Sequence, residues 1–105
     1  MLRIYGDILA VTEALVPVIE RIERRDSDLG RQMRRAISSV GLNTAEGMYS
    51  GGGNKRVRYR SALGSMRETL ACVEIGNALG YVDAIEASIL DRIGKIIGTL
   101  ANLTR

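Results

Sequence analysis

Two basic clusters hold the side chains best suited to binding chemistry. The first is Arg31, Arg34 and Arg35. The second is Lys55, Arg56, Arg58 and Arg60, with Tyr59 among them and Tyr49 on the far side of Gly51-Gly52-Gly53. Arginine and lysine neutralise phosphates, and a tyrosine ring stacks on an exposed base. On a helix the second cluster covers more than one face, so it cannot all be buried. From Arg21 to Arg60 ten basic residues stand against four acidic ones, a net +6 in a chain whose formal total is +3. The rest of the chain is therefore net acidic. Such clustering fits a surface that meets a polyanion, and equally a solvated helix face.

Catalytic chemistry is harder to find. There is no histidine, which removes the commonest general base, the Ser-His and Cys-His nucleophiles and the Glu-x-x-His motif of di-iron bundles. Glu46, Glu68 and Glu74 lack nitrogen co-ligands and read better as partners of Arg35, Arg67 or buried amides than as a metal site. Ser38, Ser39 and Ser65 have no base near them in sequence. Gly47 and Gly52 stand as in a phosphate-binding loop, but the Lys and Ser/Thr that should follow are missing and no strand precedes them. These absences read as a protein that is not an enzyme, with no metal, no cofactor and no small-molecule substrate.

The elements that must carry these residues are helical. At 105 residues, 46% hydrophobic and 26% charged, the chain reads as one globular domain, 1–105. A lone bundle of this size is marginally stable, so self-association is expected. The single cysteine, Cys72, excludes an internal disulfide and reads as a buried thiol in a reducing compartment. Arg3 and Asp7 break up any signal-like N-terminus, and no uncharged run reaches the roughly 20 residues of a membrane span. The expected location is the cytoplasm, away from membranes.

The periodicity predicts four helices, roughly 2–25, 28–50, 55–79 and 83–104. In the first, Tyr5, Ile8, Leu9, Thr12, Leu15, Ile19 and Ile22 form the apolar stripe, and Pro17 puts a kink in a continuous helix. In the second, Leu29, Met33, Ala36, Ile37, Val40 and Thr44 face inward. Ser27 or Asp28 supplies the cap, Gly41 marks a close neighbouring helix, and Gly47 an ending. Ser50 to Asn54 reads as a flexible hinge. The third helix carries Tyr59, Ala62, Leu63, Met66, Leu70, Val73 and Asn77 inward, and Gly80 stops it. Asp83 can cap the fourth, where Ile85, Ile89, Ile93, Ile96, Leu100 and Leu103 make the seam. A second strip on that helix, Leu90, Gly94, Ile97, Gly98 and Ala101, reads as an oligomer interface or as a helix set deep in its own bundle. The fold class is all-α, an antiparallel up-down four-helix bundle.

Beyond the periodicity lies a resemblance. Gln32-Met33-Arg34-Arg35-Ala36-Ile37-Ser38-Ser39-Val40 followed by Asn43-Thr44-Ala45-Glu46-Gly47 resembles the "QLRRA.SS....N.AEG" signature of a bacterial four-helix-bundle family whose founding members are encoded in intervening sequences of large-subunit ribosomal RNA genes. Tyr59 to Leu70 is similar to its "R...A.GS..E...L", and Ala78 to Tyr81 to its "A..LGY". The resemblance implies a homopentameric, ring-like barrel with a basic surface. It also implies that Arg35, Asn43, Glu46, Ser65 and Glu68 form an inter-helix polar network. A group similar in fold, the accessory variability proteins of diversity-generating retroelements, binds nucleic acid and a reverse transcriptase. This chain departs from the pattern in Gly51-Gly52-Gly53 and Pro17.

The reading that joins these strands is a homo-oligomeric bundle binding RNA or DNA through Arg31, Arg34, Arg35, Lys55, Arg56, Arg58 and Arg60. The alternative is an interaction scaffold, for example for a reverse transcriptase, whose basic face meets an acidic protein surface.

Overall fold

The computed structural model describes residues 3–105, so Leu2, where the periodicity starts the first helix, lies outside the described residues. Four helices account for most of them: α1 (Arg3–Arg25), α2 (Ser27–Met48), α3 (Gly52–Ala78) and α4 (Ala87–Leu103). Among the described residues there is no strand. Consecutive helices pack side by side, and α4 closes the bundle against α1. The result is an elongated body of 43 × 25 × 20 Å.

One apolar cluster joins all four helices. Ile8, Val11, Leu15, Ile19 and Ile22 of α1 meet Met33, Ile37 and Val40 of α2, Tyr59, Ala62 and Met66 of α3, and Ile93, Ile96 and Leu100 of α4. In α1 the inward stripe differs from the predicted one. Ile4 and Val11 are buried, while Leu9 is 46% exposed and Tyr5 and Thr12 lie at the margin. Two apolar phases overlap in that helix, and the stripe that continues straight to Ile22 is the one that packs. The helix runs unbroken through Pro17, which sits on its exposed side. There water can reach the carbonyl that the missing N–H leaves free.

The connections differ most from expectation. Asp26, not Ser27 or Asp28, caps α2: its carboxylate accepts the Leu29 N–H at 3.0 Å. Asp26 also accepts from the Tyr81 hydroxyl at 3.2 Å, which ties the α1–α2 corner to the α3–α4 corner. The Arg25 guanidinium lies 5.5 Å from the centre of the same ring, a cation–π distance. Most of the glycine triplet is taken into α3. Gly51 is the extended N-cap residue of α3, and Gly52, with φ +57°, and Gly53 already belong to the helix. At the other end of α3, Leu79 is the cap residue and Gly80 follows it with φ +79°. Gly80 N–H donates to Asn77 O and Tyr81 N–H to Gly76 O, the paired bonds of a Schellman stop. Residues 79–86 stay irregular, and α4 starts at Ala87 behind Glu86, so Asp83 caps nothing.

Glycine packing is also redistributed. At Gly41 an added Cβ would meet only Ile8 Cγ2 at 3.9 Å, an ordinary contact. The tight approaches are at Gly30, Gly47 and Gly76 instead. Cys72 is a buried free thiol on α3. Burial pushes its ionisation upward, and the Glu68 carboxylate adds to that effect.

Candidate nucleic-acid interface

The outer face of α2 is built by its own period. Arg31, Arg35, Ser38, Leu42, Ala45 and Tyr49 recur at steps of three or four, so they form one line along the helix opposite the buried Met33, Val40 and Gly47. The eighteen steps from Arg31 to Tyr49, at about 1.5 Å each, make this line about 27 Å long. Its first half is basic. Its second half carries Leu42 at 66% and Tyr49 at 87% exposure.

α3 supplies the facing wall. Arg31, Arg34, Arg35, Ser38, Ser39, Leu42, Asn43, Glu46 and Arg58 line an open groove of about 660 Å³. A second groove of about 720 Å³ follows, lined by Ala45, Glu46, Tyr49, Ser50, Asn54, Val57 and Arg58. The two share Glu46 and Arg58, so they form one continuous trough.

Polar bonds fix the walls. Arg34 donates from Nε and Nη2 to the two carboxylate oxygens of Glu23, both at 2.8 Å. This two-point contact holds the Glu23 carboxyl below the usual glutamate range, chiefly through the hydrogen bond and then through charge. Arg58 meets Glu46 with Nε 3.0 Å from Oε2, and its Nη1 reaches Asn43 Oδ1 at 3.5 Å, the long limit of a hydrogen bond. Asn43 Nδ2 donates to the Ser39 carbonyl at 3.0 Å and to Ser39 Oγ at 2.9 Å, and Ser65 Oγ lies 2.8 Å from Ser39 Oγ. Arg31 is 3.5 Å from Asp28 on the same helix.

The structure therefore brings together Arg31, Arg34, Arg35 and Arg58 but divides the second cluster. Successive helix residues turn by about 100°, so Arg56 and Arg60 point about 160° away from Arg58, on the far side of α3. Both are exposed, and Lys55 is half-buried between the two faces. Tyr59 is buried at 2% exposure, which pushes its hydroxyl ionisation up.

Of the expected polar network, Asn43, Glu46 and Ser65 are linked. Ser39 and Arg58, two residues outside the expected set, complete it. Arg35 and Glu68 enter no hydrogen bond or ion pair among the described residues. On α4, Leu90 is 41% exposed, Gly94 and Gly98 are exposed with open space around them, and Ile97 and Ala101 are half-buried against the core. No group of three or more metal-ligating side chains occurs among the described residues. No described helix is long and apolar enough to cross a membrane.

A helical bundle with an arginine-lined trough on its α2–α3 face is the class of molecule these features define. The family model described as "23S rRNA-intervening sequence protein" matches residues 2–102, and the chain belongs to that family. No curated protein and no solved structure matches it significantly.

Proposed function

We propose that this chain is a non-enzymatic, cytoplasmic helical bundle that self-associates, as a ring-like oligomer, and binds RNA or another nucleic acid through the α2–α3 trough. One observation carries the reading: Arg58 of α3 joins Arg31, Arg34 and Arg35 of α2 in a single groove. Three of the four are already paired, Arg31 with Asp28, Arg34 with Glu23 and Arg58 with Glu46. The exposed single-point pairs of Arg31 and Arg58 are weak, so a phosphate displaces those carboxylates at little cost, while the two-point contact of Arg34 with Glu23 is the harder one to open. A ring would repeat the trough, and weak contacts would add through effective concentration. The exposed strip of Leu90, Gly94 and Gly98 supports self-association.

The test is binding to structured RNA and duplex DNA across a salt series, on protein of known mass. Changing Arg31, Arg34, Arg35 and Arg58 to Gln should weaken binding and reduce the salt slope by about one for each phosphate no longer neutralised. Unchanged affinity and slope would refute the assignment. Changing Arg56 and Arg60 alone should matter less.

A second reading, an interaction scaffold for a reverse transcriptase or another enzyme, is favoured by the bare apolar groups of Leu42 and Val57 beside the arginines. Gene neighbourhood separates the two. A ribosomal RNA operon favours the first, and a retroelement cassette the second.

A further inference from the structure

We propose that the trough takes a single strand rather than a duplex, and that Tyr49 is the platform on which a base stacks. This rests on the nucleic-acid reading above and specifies the substrate class for the same site.

The four tyrosines are not equivalent. Tyr59 is in the core, Tyr5 is half-buried on α1, and Tyr81 is half-buried with its hydroxyl held by Asp26. Tyr49 is 87% exposed and so contributes almost nothing to packing. Its backbone is nevertheless fixed: as the C-cap residue of α2 it donates its N–H to the carbonyls of Glu46 and Gly47. An aromatic ring left in water on a rigid anchor has its faces free for stacking, which is how unpaired bases are held without regard to sequence.

The surroundings fit a base. Val57, 56% exposed on α3, offers a second apolar surface across the same groove. The Asn54 amide in that groove supplies both a donor and an acceptor for a base edge. Arg58 stands where this groove joins the arginine-lined one, within reach of a phosphate on the same strand.

The shape of the site favours a single strand. The trough is an open surface groove between two packed helices, where a lone strand can turn its bases toward Tyr49. A duplex would rest on the rims with its bases stacked away from Tyr49. The basic half and the stacking half lie in line along about 27 Å of α2, long enough for a strand of several nucleotides.

The probe is a fluorescein-labelled, unstructured RNA of about 20 nucleotides, compared with a duplex of the same length, by anisotropy at one salt concentration on the full chain. The single strand should bind about 10-fold more tightly than the duplex. Tyr49→Ala should cost the single strand about 10-fold and leave the duplex unchanged, and Tyr49→Phe should behave as the parent. Circular dichroism melts should be the same for all three, because Tyr49 lies outside the core. If Tyr49→Ala leaves single-strand affinity intact, or the duplex binds as well, the proposal is overturned while the arginine reading stands. If neither RNA binds, both fall. If Tyr49→Ala lowers the particle mass on light scattering instead, the patch belongs to a contact between copies and the proposal is overturned.

Discussion

Gly47 packs closely against the ring of Tyr59: a Cβ at position 47 would stand 2.6 Å from Cε1 and 2.9 Å from Cδ1. The ring is itself buried in the core. This contact sets how closely the end of α2 approaches the start of α3, and hence the width of the trough beside Tyr49. Gly47→Ala should gain up to about 1 kcal/mol of helix propensity but lose about 1–3 kcal/mol to overpacking, a net destabilisation. Gly64→Ala, on the exposed side of α3 with open space around it, should show the propensity gain alone. Urea midpoints of the two variants should move in opposite directions.

Thr44 is fully buried on α2, and its Oγ1 has no hydrogen-bond partner. A hydroxyl in that state carries a desolvation penalty of about 1–3 kcal/mol with nothing to offset it. Thr44→Val keeps the branched shape and removes the oxygen, so it should raise stability, by about 1 kcal/mol. Thr69 is the control. It is equally buried, but its hydroxyl donates to the Ser65 carbonyl at 2.8 Å, and Thr69→Val should give no such gain.

The four helices were legible because their apolar residues recur at helical spacing over long runs. What escaped was whatever depends on two helices at once. The ion pair of Arg58 with Glu46 requires a particular register of α3 on α2, which neither helix encodes alone. Gly47, not Gly41, is the close contact for the same reason, since its partner ring is 12 residues away across a turn. The split between Arg58 and Arg56/Arg60, by contrast, was present in the sequence. Counting about 100° per residue from the inward Tyr59 separates them. Gly51-Gly52-Gly53 looks flexible by local propensity, yet the helix behind it is held by Tyr59 and Ala62 in the core and extends back to Gly52. Tertiary packing outweighs the glycine penalty there.

Stability should fall on both sides of neutrality. The folded state holds Glu23 below its ordinary range through Arg34. That contribution is fully present above the unfolded glutamate value, about 4.3, and is lost as pH falls through the lower folded value. On the alkaline side burial raises Cys72 and Tyr59, and burial with the Asp26 hydrogen bond raises Tyr81. Groups raised in the folded state stabilise it below their unfolded values, about 8.5 for the thiol and 10 for the phenols. That stabilisation is lost as pH climbs through the folded values. Urea midpoints should therefore be flat near neutral pH and decline above about pH 9. Cys72→Ala should remove the earliest part of the alkaline decline, whatever it does to the plateau. A decline that starts at the same pH in Cys72→Ala would refute the assignment.

The α4 strip makes a prediction about mass. Gly94 and Gly98 leave space on a helix that also exposes Leu90, the arrangement of a surface that a second copy can approach closely. Light scattering should give a particle several times the 11.4 kDa chain mass. Leu90→Glu with Gly98→Glu should return it to the monomer while far-ultraviolet circular dichroism keeps its helical signal. Gly98→Ala alone should stabilise an isolated bundle by about 1 kcal/mol. If position 98 lies in a tight contact between copies, the same change should weaken association instead.

Glu46 distinguishes a phosphate-binding trough from an incidental basic face. Its carboxylate holds Arg58 at 3.0 Å in the middle of the groove, so a bound phosphate has to compete with it. If the groove binds nucleic acid, Glu46 is an internal competitor, and Glu46→Gln should tighten binding by freeing Arg58 and removing a negative charge from the path of the strand. Weakly coupled exposed pairs put the gain at about 0.2–1 kcal/mol, a few-fold in affinity, with a steeper salt slope as one more cation becomes available. A purely structural role predicts the reverse order of effects. Loss of the Arg58 pair would then loosen the α2–α3 packing and lower the urea midpoint, with no gain in affinity. Measuring affinity, salt slope and urea midpoint on the same Glu46→Gln preparation separates the two, because only competition for Arg58 makes binding stronger when an ion pair is removed.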